Sequence, residues 1–178
     1  MTKSRKSFDA GIKDAELMLE LYKVHPKESP ESGEALKRAG LVLALTAWET
    51  YVEDLIAERV DAYTQVLHGS PAGTFMKKRL EIELKQFHNP NSAKTQKLFK
   101  DFLEIDITEE WHWDNFDITK VKERLDHYLS MRGDAVHRAR VVEAGVPSAP
   151  HIVKKDDLDK AIRFLRGLVD ATERRFSR

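Results

Sequence analysis

Apolar residues recur at spacings of three and four along nearly the whole chain, the interval at which side chains return to one face of an α-helix. Phe8, Ile12, Ala15, Leu19 and Tyr22 mark a first helix that ends before Pro26. Pro30 and Ser32 open a second segment, from about Gly33 to Leu67, that contains no proline. Its stretch Ala39–Trp48 is apolar nearly all round, which predicts a helix buried on most sides. Val52, Leu55, Ile56, Val60 and Tyr63 then narrow to a stripe, and His68-Gly69-Ser70-Pro71 supplies a glycine stop and a proline start. A third helix spans about Ala72 to Phe87 and is closed by His88-Asn89-Pro90-Asn91, after which Ser92 can cap a fourth carrying Leu98, Phe99, Phe102 and Leu103. Trp111-His112-Trp113 reads as a packed loop. Asp114 or Asp117 caps a helix through about His137, and Val141–Val153, with Gly145, Pro147 and Pro150, reads as a loop. Asp156 or Asp157 opens the last helix, which carries Leu158, Ile162, Leu165, Leu168, Val169 and Phe176. The pattern predicts an all-α bundle of five or six helices forming one domain over residues 1–178.

Composition narrows the class without naming a chemistry. The 178 residues include 30 basic and 30 acidic side chains, so there is no global excess of the kind that coats nucleic acid or an anionic membrane. Cysteine is absent, which removes a disulfide scaffold, a thiolate zinc site and a cysteine nucleophile together. The uncharged run Ala39–Trp48 is ten residues, about half a bilayer span, and the basic N-terminus lacks the apolar core of a signal peptide. A cytoplasmic protein without a membrane segment is expected. The charges are nevertheless unevenly spread. Residues 101–117 hold seven acids and no lysine or arginine, whereas residues 76–100 hold seven bases against two acids. Distinct acidic and basic surfaces follow, either as solvated helix faces or as a basic cleft for phosphate.

One residue breaks the helical pattern. The stripe Ile118, Val121, Leu125, Tyr128/Leu129 calls for apolar residues near 132 and 136; position 136 is Val, but position 132 is Arg. A guanidinium in an apolar stripe must snorkel, pair with an acid, or face an interface or cleft where an anion arrives. His137 follows five residues on, ~7.5 Å along an ideal helix axis and ~140° around it. A long Arg side chain can curl towards it, and Gly133 permits a bend.

Met131-Arg132-Gly133-Asp134-Ala135-Val136-His137 resembles the Rx4–6H motif of HEPN domains, with four intervening residues. Ala47-Trp48-Glu49-Thr50-Tyr51-Val52-Glu53-Asp54-Leu55 is similar to the second-helix signature of the RiboL-PSP-HEPN group. Asn89-Pro90-Asn91, Lys97-Leu98-Phe99-Lys100, Phe102-Leu103-Glu104-Ile105, Trp111-His112-Trp113 and Leu125-Asp126-His127-Tyr128-Leu129 follow in the group's order, over roughly residues 34–176. The resemblance implies a HEPN-like bundle acting as a homodimer, with the motif helices of two copies meeting in one cleft. It implies a metal-independent endoribonuclease with no cofactor, of the kind used as toxins or in phage defence. Its partners would be an RNA substrate and, in toxin systems, an antitoxin or a small nucleotidyltransferase. On that reading Arg132 grips the scissile phosphate and His137 moves the proton of the attacking 2′-OH. Arg138 and Arg140 add positive charge beside the motif, and Asp134 offers a polar group where the family commonly has one straight after the Arg, here Gly133. Glu49 and Glu53, one turn apart, either line the cleft and pair with Arg132 or form an ordinary salt bridge. The same resemblance admits a catalytically silent HEPN module that binds RNA, a nucleotide or a protein partner.

The remaining candidates are weaker. Glu123 and His127 have an i, i+4 spacing that can hold a metal, but no third ligand accompanies them. His112 reads as a packed loop residue. Arg163 and Arg174 share a face of the last helix, either solvated or extending an RNA path. No P-loop, GxGxxG or nucleophile elbow is present.

Overall fold

The long second helix is where the chain packs most of its other elements. In the computed structural model, which describes residues 1–25, 30–137 and 153–177, six helices are present. They are α1 (Lys3–Val24), α2 (Pro30–Tyr63), α3 (Pro71–Lys85), α4 (Ser92–Leu103), α5 (Ile118–His137) and α6 (Lys155–Arg174). Short 3-10 turns occupy Gln65–Leu67 and Ile107–Glu110, and no strand is formed among the described residues. The all-α bundle expected from the periodicity is thus observed. All five other helices touch or approach α2 or α6, and no helix is long and apolar enough to cross a membrane among the described residues.

The ends of the helices differ from the sequence expectation for local reasons. Thr2 caps α1 by accepting from the Arg5 N–H, so that helix starts five residues before Phe8. The capping side chain of α4 is Asn91, which accepts from the Lys94 N–H at 2.8 Å, while Ser92 is drawn elsewhere. The N-cap of α6 is Lys154, its backbone N–H held by the Asp157 carboxylate at 3.1 Å. α3 begins as expected, with Pro71 in the first turn and the Ser70 hydroxyl accepting from the Gly73 N–H.

α2 is buried on one broad side and open on another. Leu41, Ala44, Leu45, Ala47 and Trp48 are buried, but Ala39 and Thr46 are exposed and Val42 and Leu43 only half-buried. The burial expected on most sides is thus observed, with the 39–42–43–46 face left as the side where nothing in the described chain packs fully. On the buried side the approach is close enough to require glycine. A Cβ on Gly11 would lie 2.9 Å from the Ala47 Cβ, and one on Gly40 would lie 2.7 Å from a Leu158 methyl. These two contacts bring α1 and α6 directly onto the α2 backbone.

Aromatic side chains fasten the irregular segments to this frame. Trp48 and Trp111, both fully buried, meet edge to face with ring centroids 6.0 Å apart. The Trp111 indole N–H donates to the Thr172 hydroxyl at 3.0 Å, and that hydroxyl donates to the Leu168 carbonyl. Arg174 donates to the carbonyls of Glu110 and His112, so it fixes the tryptophan loop and is not part of a solvated stripe. Arg163 pairs with Asp159 on the surface of α6.

The turn before Trp111 depends on Asp106. Burial pushes its carboxyl up, but hydrogen bonds from the Thr108 hydroxyl, Gln96, the Thr108 backbone N–H and Lys100 together outweigh burial and hold it at about 2. A carboxyl depressed in the folded state stabilises the fold above its unfolded value and loses that contribution as pH falls through the folded one. Between about pH 4 and pH 2 the wild type should therefore lose about 2 kcal/mol more stability than Asp106→Asn, as read from urea midpoints across that range.

Candidate functional site

Helix α5 carries the candidate residues Arg132, Asp134 and His137 at its far end. Asp117 caps it by accepting from the Lys120 N–H at 2.8 Å, and Val121, Leu125, Tyr128 and Leu129 bury its inner face. The helix continues through Gly133 to His137 without a break. Arg132 and Asp134 are half-buried, Ala135 is buried, and Val136 is 52% exposed. The apolar stripe therefore does not carry on to Val136 as its period suggests; Ala135 takes the inner position. A Cβ on Gly133 would meet nothing within 4 Å among the described residues.

Of the fates open to a guanidinium at position 132, the structure shows pairing with an acid. Arg132 Nη1 donates to Glu49 Oε2 at 2.6 Å, with side-chain exposures of 22% and 14%. Among the described residues no other side chain bonds the guanidinium. Glu53 lies one turn further along α2. Burial, then the neighbouring carboxylates of Glu49 and Asp54, raise its carboxyl above the usual range. Among the described residues no hydrogen bond or ion pair ties Glu53 to Arg132.

The second oxygen of Glu49 is engaged by the loop after α3, whose Asn89-Pro90-Asn91 run is part of the resemblance but whose contact with Glu49 the sequence does not show. Oε1 accepts from the Asn89 backbone N–H at 3.4 Å, and His88 Nδ1 stands 3.9 Å away. That loop is pinned from three sides. The Trp48 indole N–H donates to the Pro90 carbonyl at 3.1 Å, and the Thr95 hydroxyl donates to the same oxygen. Ser92 donates from both its backbone N–H and its hydroxyl to Asp126 of α5, at 2.8 and 2.9 Å. Asn89 adopts φ +58°, a left-handed conformation that asparagine tolerates better than most residues. Glu49, Arg132 and the 88–91 loop thus form one constellation between α2, α4 and α5.

A comparison of sequences identifies the family. The profile of the RiboL-PSP-HEPN family matches residues 11–178. The chain belongs to the RiboL-PSP-HEPN family. No curated protein and no solved structure is matched. The stretch 131–137 that resembles the Rx4–6H motif falls on the last turns of α5, with Arg132 tied to the second helix. His137 ends α5; its side chain, together with Arg138 and Arg140, lies outside the described residues. Asp134 is two residues from Arg132, so in this unbroken HEPN helix it projects ~200° away from it. The other candidates are not brought here. Glu123 and His127 are both exposed, and among the described residues no group of three or more His, Cys, Asp or Glu could hold a metal ion. His112 is exposed on the tryptophan loop.

Two stability measurements follow. A double-mutant cycle of Glu49→Ala and Arg132→Ala should give a coupling energy of about 1–3 kcal/mol, because either single change strands a partly buried charge; additive effects would mean the pair does not persist in solution. Gly133→Ala should stabilise the protein by about 0.5–1 kcal/mol, since the added methyl meets open space in a regular helix. A loss of stability in thermal unfolding would show that the space is filled.

Proposed function

We propose that this HEPN protein is a metal-independent endoribonuclease whose site is formed by Arg132 and His137 of two copies at a dimer cleft. The observation that carries this reading is Arg132 itself. It is oriented by an acidic partner on α2, and it sits in a stretch that resembles the Rx4–6H motif of HEPN nucleases. Glu49 takes one N–H of the guanidinium, and the others are offered to the non-bridging oxygens of a phosphate. Charge that gathers on those oxygens as the 2′-oxygen attacks phosphorus is stabilised there.

The proton traffic falls to His137. One neutral imidazole accepts the 2′-OH proton as the new P–O2′ bond forms. A protonated imidazole from the second copy donates to the departing 5′-oxygen as P–O5′ breaks. The products are a 2′,3′-cyclic phosphate and a 5′-hydroxyl. The dimer draws support from two apolar surfaces that a second copy would cover. Val136 lies one turn beyond Arg132, and the open 39–42–43–46 face of α2 ends one turn before Glu49. Toxin or phage-defence use, with an antitoxin or nucleotidyltransferase partner, fits this activity. The second reading, a silent module that binds RNA, a nucleotide or a protein, is favoured by Gly133 and Arg138, which depart from the residues common in HEPN nucleases.

Cleavage of mixed RNA in EDTA tests the proposal. Wild type should yield cyclic-phosphate ends, and folded, dimeric His137→Ala and Arg132→Ala should each lose about 10²–10⁴ in rate. A folded wild-type dimer that leaves every RNA intact, or variants that cut as well as wild type, would favour the silent module.

A further inference from the structure

The loop that closes the site carries a histidine with no part in the reaction above. His88 stands 78% exposed at the rim, facing Glu49 Oε1 while Arg132 holds Oε2 of the same carboxylate. The two basic side chains therefore lie no more than about 9 Å apart, on either side of one acidic group. Lys94, exposed in the first turn of α4, joins them: its Nζ donates to the His88 carbonyl at 2.8 Å. An ammonium has three N–H donors, so two remain for another acceptor. The loop is pinned by Trp48, Thr95 and the Ser92–Asp126 pair, so these groups hold a set position relative to Arg132.

Charge gives the arrangement its meaning. Around Arg132 the described residues set one guanidinium against the carboxyl groups of Glu49 and Glu53. His88 and Lys94 supply basic groups on the adjoining rim, and the separation of His88 from Arg132 suits successive phosphates of an extended strand. Glu49 between them repels a phosphate from the gap and so fixes which phosphate falls on which side.

We propose that His88 and Lys94 form a second phosphate subsite, which holds the RNA phosphate next to the one gripped by Arg132. The inference rests on the reading of Arg132 as the site of the scissile phosphate. It assigns to the 88–94 segment the task of setting the register of the strand.

Uncleavable 2′-O-methyl ligands separate the two ideas. A dinucleoside monophosphate offers one phosphate and a trinucleoside diphosphate two, and their affinities are compared by calorimetry. Wild type should bind the longer ligand about tenfold more tightly, the gain expected of one set of charge-assisted contacts. His88→Ala and Lys94→Ala should each lose several-fold of that gain, the double variant all of it, and His88→Arg should retain it. Both side chains stand in solvent, so the variants should fold, which circular dichroism checks. A wild type without the gain, or a double variant that keeps it, overturns the subsite while leaving RNA cleavage by wild type intact. A wild type that binds neither ligand and cuts no RNA overturns both the subsite and the ribonuclease reading.

Discussion

A guanidinium cannot remain in the apolar stripe of a helix without something to neutralise it, and in this protein Glu49 is that something. The 2.6 Å contact between Arg132 and Glu49 joins the end of α5 to the middle of α2. It does so where both side chains are largely shielded, a setting in which each charge depends on the other. The same carboxylate accepts from the Asn89 N–H, so a single side chain sets the relation between two helices and a loop. Deleting it would leave Arg132 without its anchor and the loop without one of its contacts.

The rest of the fold holds Glu49 in place. Trp48, its neighbour in sequence, is fully buried against Trp111 and reaches across to the Pro90 carbonyl. Trp111 is in turn tied to Thr172 on α6, and Arg174 secures the carbonyls on either side of that tryptophan. The aromatic core and the candidate site are therefore one connected structure. The side of α2 that is not needed for this core stays open, and it runs directly into the acidic pair Glu49 and Glu53.

Much of this was legible in the sequence, and the limits have physical causes. Helices show through their three-and-four spacing because burial of one face dominates their stability. Their ends were displaced by a few residues wherever a cap was chosen by tertiary contacts: Ser92 looks like the cap of α4, but Asp126 claims it and Asn91 takes over. Arg132 was visible as an anomaly because it violates a period, and its pairing with Glu49 was one of the fates that chemistry allows. Val136 misled for the same reason, since the period alone cannot tell that Ala135 faces inward. His88 carried no local signal. Its place beside Glu49 depends on a hydrogen bond between residues 48 and 90, and only the order of the Asn89-Pro90-Asn91 run hinted that the loop mattered.

On the proposed reading, Arg132 is held ready by Glu49 and meets a phosphate in that position. Nitrogen-detected NMR of the arginine side chains tests it directly. In the free protein the two Nη groups of Arg132 should give separate resonances, because the bond to Glu49 slows rotation of the guanidinium. Glu49→Ala should merge them, and an uncleavable RNA oligomer should shift them in the wild type. Averaged signals that neither Glu49→Ala nor RNA alters would contradict the account.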